Sequence, residues 1–184
     1  MNITEQKIIN AIIYLVDNTK DCKKTKLFKL LYYLDFIHFK RFGLSVTGFD
    51  YITMQYGPVP SRLLSYFEKN DFPEEFKRNF SVEKVTDDED KYSFKILLKN
   101  KKPDLEWFTP NELSVLEEVV EIFKDAPAKD MVEATHFHNT PWDRTVKTKG
   151  MGKNIDYLLA VDEETTLALE EIKERFRIQK ELGA

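Results

Sequence analysis

Residues 24–43 read KTKLFKLLYYLDFIHFKRFG. Leu27, Leu30, Leu31, Leu34 and Ile37 recur at helical spacing, and Phe28, Tyr32 and Phe39 make a second apolar row beside them. Lys26, Lys29, Tyr33 and Lys40 leave only a narrow polar stripe. A helix apolar on most of its circumference must be covered on most of it, so the pattern predicts a central helix over about 25–42. Gly43 is placed to end it, since a left-handed residue after the last turn is easiest for glycine. Asp35 is the one acid on this buried-looking helix and reads as a carboxylate satisfied by its neighbours.

Working outward, Ile8, Ile12 and Leu15 with Ile9, Ile13 and Val16 give two apolar rows, and a first helix over about 4–17. Residues 51–56 alternate and carry Tyr51, Ile52 and Tyr56, which predicts a short strand. Gly57-Pro58-Val59-Pro60 then reads as a rigid strand-to-helix corner, because proline lacks the N–H that a ladder needs. Ser61 is placed to cap a helix carrying Leu63, Leu64 and Phe67. Pro73 opens a short helix over 73–79. FSVEKV (80–85) and KYSFKILLK (91–99) flank the acidic turn Asp87–Asp90 and read as a β-hairpin.

The clearest local signal is WFTPNELSVLEEVVEIFK, residues 107–124. Thr109 is an N-cap, Pro110 the first helical residue, and Glu112 completes a capping box. Pro127 starts a further helix through Met131 and Val132 to about Phe137, which NTPWDRT (139–145) breaks. KTKGMGKN (147–154) reads as a mobile loop, and Asp162 as the cap of a last helix to about 182 with a seam of Leu169, Ile172 and Phe176. The fold class is therefore α+β: a predominantly α-helical single domain, residues 1–184, with a short strand and a small antiparallel β-hairpin.

Composition narrows the function. The 184 residues carry a net charge of −4, distributed as +3 over the first 60 and −7 over the remainder. An acidic chain is a poor general ligand for phosphate backbones, so nucleic acid is not an expected partner. The longest apolar run, Ile8–Val16, is too short for a bilayer, which takes roughly 20 residues, and no export signal is visible. With one cysteine, Cys22, no internal disulfide can form, and the expected location is the cytoplasm.

No catalytic set emerges. His136, His138 and Asp143 in THFHNTPWD could suggest a metal site, but two histidines at a helix end diverge and no further ligand follows at a zinc spacing. A His136 hydrogen-bonded inside the fold near Trp142 is the plainer reading, with partner contact as the other. No serine sits in a nucleophile elbow. GMGKN lacks the upstream glycine and the Ser or Thr of a phosphate loop. The expectation is a non-enzyme with no cofactor and no metal. Two helices followed by a strand and hairpin raise a winged-helix alternative, in which Lys23, Lys24, Lys26 and Lys29 would touch phosphates. Against it, the helix presents no Arg, Asn or Gln row for bases, and those lysines read instead as a solvated face. What remains is exposed aromatic and proline chemistry at Tyr33, Tyr56, Pro58, Pro60, Arg62 and Trp142, types enriched at protein interfaces.

KTKLFKLLYYLDFIHFKRFGLSVTGFDYITMQYGPVPSRL, followed by FTPNELSVLEEVVEIFKDAPAKDMVEATHFHNTPWDRT, closely resembles the Panacea domain, the SocA-like antitoxin family. The resemblance covers about residues 23–146, leaving helices 4–17 and 162–182 as flanks. Its signature positions here are Lys26, Leu30, Tyr32, Asp35, Tyr56, Gly57, Pro58, His136, Pro141 and Trp142. It implies a bacterial or phage antitoxin that neutralises a toxin encoded nearby by binding it. The alternative within the family is an adaptor that delivers its partner to a Clp-type protease. The expected partner-binding residues are Tyr33, Tyr56, Gly57, Pro58, Pro60, Arg62, His136 and Trp142, with Tyr56–Arg62 and His136–Trp142 meeting as one surface. The chain leaves no length for a separate DNA-binding domain, so self-regulation by DNA binding is not expected.

Overall fold

The computed structural model describes residues 3–86, 92–100 and 102–182. Helix α1 spans Ile3–Asn18 and α2 spans Lys24–Phe42, with Gly43 ending α2 in the left-handed conformation at φ 71°. Helix α2 is central. It packs against α1, against α5 (Pro110–Phe123) and α6 (Ala128–Thr135), and against two of the strands. Its leucines and most of its aromatics are buried, as their spacing predicts.

The polar stripe of α2 is where the expectation fails. Lys26 and Lys29 are both buried rather than solvated. The Lys26 ammonium donates to the carbonyls of Lys20 (2.7 Å) and Lys124 (3.2 Å), just past the ends of α1 and α5. A cation there complements the negative ends of two helix dipoles and satisfies orphan carbonyls. Burial holds its pKa below the usual lysine value. Asp35 is fully buried, as expected of a satisfied carboxylate. Oδ1 accepts from the N–H groups of Val46 and Thr47, both at 2.8 Å, and Oδ2 from the hydroxyls of Thr47 and Tyr51. Burial pushes its pKa up, and these four donors oppose the shift. The carboxylate thus staples the segment after α2, and the start of the next strand, back onto the helix.

That strand, β1 (Tyr51–Met54), pairs antiparallel with β2 (Gly57–Pro60) around a two-residue turn. GPVP is therefore a paired strand as well as a corner. Register explains how two prolines fit. Tyr51 faces Pro60 and Thr53 faces Pro58. The main-chain groups of Tyr51 and Thr53 point away from β2: Thr53 N–H donates to the Lys153 carbonyl at 3.0 Å, and Ile155 N–H to the Tyr51 carbonyl at 2.8 Å. Both prolines thus occupy positions where the ladder asks for no donor.

Helix α3 (Ser61–Lys69) follows without a side-chain cap: the Ser61 N–H and hydroxyl both donate to the Asp50 carbonyl, not to the helix start. Helix α4 (Glu74–Asn79) leads into the hairpin β3 (Phe80–Thr86) and β4 (Tyr92–Leu98), as predicted; the acidic turn 87–90 lies outside the described residues. Thr109, Pro110 and Glu112 form the expected capping box at α5. NTPWDRT does follow the end of α6, with Asn139 left-handed at φ 65°, but most of it is helical. Thr140 caps, and Pro141 begins, helix α7 (Pro141–Lys149), repeating the Thr-Pro start of α5. Nor is 147–154 free: Gly152 N–H donates to the Thr53 carbonyl at 2.7 Å, so the loop lies along the open edge of β1. Asp162 caps a turn rather than the last helix, which is α8 (Leu169–Glu181), and it pairs with Lys40 at 2.7 Å. The chain is a predominantly helical α+β protein. No helix among the described residues is long and apolar enough to cross a membrane.

Candidate functional site

The β1–β2 hairpin, the turn between α6 and α7, and the loop 150–153 converge at one edge of the molecule. Three contacts tie them. Gly57 seats against α6. Its φ is +90°, and a Cβ there would lie 2.5 Å from the Thr135 hydroxyl oxygen and 2.9 Å from the Lys29 Cε. Trp142 Nε1 on α7 donates to the Met54 carbonyl at 3.2 Å. The Thr53 hydroxyl donates to the Gly150 carbonyl at 3.0 Å and accepts from Lys153 N–H at 3.1 Å. His136 stacks on Trp142 with ring centroids 3.9 Å apart and planes 20° from parallel.

Beneath the hairpin lies Lys29, 1% exposed, whose ammonium donates to the Pro58 carbonyl at 2.8 Å. That carbonyl points outward from the ladder because Pro58 is in the same register class as Thr53. Burial without a carboxylate beside it pulls the Lys29 pKa down to about 7. Burial, then the charge of Lys29, lowers the His136 pKa. His136 Nε2 is buried with no hydrogen-bond partner, so the expected internal hydrogen bond at that nitrogen is absent.

The residues singled out in the sequence divide into support and surface. Gly57, Pro58, Pro60 and Trp142 are buried and hold the edge in place from beneath. Tyr33 is half-buried, stacked on Phe123 at 4.5 Å, and lines a separate cleft. Arg62 is exposed with its guanidinium over the Phe49 ring at 5.2 Å. Tyr56 alone of the aromatics in that set stands out at the hairpin tip, 60% exposed. It borders a cleft of about 1150 Å³ lined also by Tyr92, Ala126, Pro127 and Val132.

Sequence reading does not reach three further exposed apolar residues. Met54 (38% exposed), Phe137 (66%) and Met151 (51%) stand on the same three tied segments as Tyr56. Met54 and Met151 adjoin residues whose polar groups make the ties, Thr53 and Gly150; the one sequence signal that the three residues offer is that none fits an apolar period. Among the described residues, no cluster of three or more metal-ligating side chains exists.

Prolines, a glycine and a buried tryptophan thus stiffen segments that carry exposed aromatic and methionine side chains. The family model for the antitoxin SocA-like, Panacea domain matches residues 27–143. The chain belongs to that family. No curated protein and no solved structure matches it.

Proposed function

We propose that this chain is an antitoxin-like protein-binding module that neutralises a cognate toxin by direct contact, without turnover. The observation that carries the reading is the tied edge bearing Met54, Tyr56, Phe137 and Met151. Flexible thioethers and aromatics on a rigid base fit a surface that repacks around a protein partner. The family membership supports a toxin as that partner. Helices α1 and α8 belong to the same unit in this reading, since α1 packs on α2 and Ile172 of α8 is fully buried.

The test is co-expression with the product of the adjacent open reading frame, followed by affinity purification and a growth assay. The wild-type chain should restore growth and co-purify with its neighbour. Tyr56→Asp with Phe137→Asp, both at exposed positions and hence folded, should weaken the complex at least about 30-fold, as loss of a central anchor does. Full protection by a double variant that no longer forms the complex would sink the reading. If protection is kept only where a Clp-type protease is present, and the neighbour's level falls with it, the chain delivers its partner for degradation instead of blocking it.

A further inference from the structure

On the other side of the α6–α7 turn lies a second cleft, of about 680 Å³. It is lined on α2 by Tyr32, Tyr33, Phe36 and Ile37, with the two tyrosine rings edge-to-face at 68°. Tyr32 is only 4% exposed, yet its hydroxyl makes no hydrogen bond among the described residues. Among the described residues the fully buried side-chain atoms without a partner are Nε2 of His38 and of His136, so the Tyr32 hydroxyl keeps a small exposure. Tyr32 itself lines the cleft. The Tyr33 hydroxyl beside it is likewise without a partner.

The rim adds an unspent cation. Lys40 is matched by Asp162 at 2.7 Å and Glu164 at 2.8 Å. Arg144 has no carboxylate among the described residues, and one nitrogen donates a long hydrogen bond to the Leu159 carbonyl at 3.4 Å. His138 lines the same cleft, exposed and without a side-chain hydrogen bond among the described residues. A guanidinium with no carboxylate partner and two phenols with no hydrogen-bond partner among the described residues, beside an aromatic lining, make a donor set for an oxyanion carried on a flat apolar body. The volume is that of a pocket for one small ligand.

We propose that this cleft is a binding site for a small aromatic anion, a carboxylate or phosphate ester on a planar ring. The ring lies on Tyr33 and Ile37, and the anionic group reaches the Arg144 fork and the Tyr32 hydroxyl. The site is separate from the exposed edge assigned to the protein partner and does not depend on that assignment.

The experiment is an NMR titration of the full chain, labelled with nitrogen-15, with phenyl phosphate and in parallel with benzyl alcohol as the neutral isostere. Phenyl phosphate should give saturable shifts confined to residues 32–40, 134–144 and 157–162, with benzyl alcohol at least about tenfold weaker. Arg144→Met, at an exposed position, and Tyr32→Phe, which keeps the ring and removes only the unpartnered hydroxyl, should each weaken phenyl phosphate about five- to tenfold. Should Tyr32→Phe fail to fold, the Arg144 variant carries the test. Absence of saturable shifts, equal affinity for the neutral isostere, or full affinity in Arg144→Met overturns the proposal.

Discussion

Gly57→Ala offers the sharpest check on how the hairpin is seated. Two costs add at this position. The first is conformational: φ is +90°, where an L side chain is strained by roughly 1–3 kcal/mol. The second is steric: the new methyl would lie 2.5 Å from the Thr135 hydroxyl and 2.9 Å from the Lys29 Cε and Nζ. Lys29 cannot simply swing away, because it is 1% exposed and its ammonium is held by the Pro58 carbonyl. Thr135 is fixed by its own bond to the Val132 carbonyl at 2.7 Å. Forcing a group into a full site of this kind costs about 1–3 kcal/mol more. The sum is about 2–6 kcal/mol, and at about 2–4 °C per kcal/mol for a chain of this size the melting temperature should fall by about 4–24 °C. Gly150 supplies the control. Its φ is +89°, nearly the same, but a Cβ there meets nothing within 4 Å. Gly150→Ala should therefore show the conformational cost without the steric one. Urea unfolding of both variants, read by circular dichroism, measures the difference. If Gly57→Ala is no more destabilising than Gly150→Ala, the seating of the hairpin on Lys29 and Thr135 is wrong.

Lys29 should leave a mark on the pH dependence of stability. Its pKa is about 7 folded against 10.5 unfolded, so between these values the unfolded chain binds a proton that the folded one does not. Stability from this group therefore rises with pH across that window, by up to about 1.4 kcal/mol per unit, and Lys29→Met should remove the rise; parallel curves over pH 7–9 would contradict it. Asp35→Ala orphans four buried donors and should cost at least about 3 kcal/mol in denaturant unfolding. Asp35→Asn should be milder, because the Thr47 and Tyr51 hydroxyls can turn to accept from the new amide, and equal costs would argue against the observed network. Thr140→Ala should lose about 1 kcal/mol of stability, as an N-cap does, whereas a residue in a mere break would lose nothing measurable.

What could be read directly was whatever local chemistry decides. Helix α2 follows from its two apolar rows and Gly43, and α5 from the Thr109–Glu112 box, because spacing and caps act within a turn or two. Thr140-Pro141 carries the same local signal as Thr109-Pro110 but no apolar period follows it, so the sequence pattern does not mark α7 as a helix. The SocA-like family resemblance was legible for the same reason: its motif positions are contiguous runs. Only the tertiary structure decided which polar positions lie inside. Lys26 and Lys29 look like a solvated stripe until the ends of α1 and α5 land on one and the β1–β2 hairpin on the other. Two prolines can sit in a strand only once the register aims their missing donors away from the ladder. The exposed edge of Met54, Tyr56, Phe137 and Met151 comes from segments as far apart as residues 54 and 151, joined through Trp142 and Thr53. Local propensity sets the elements, but burial is a property of what arrives from a distance, and no period within one segment encodes its visitors.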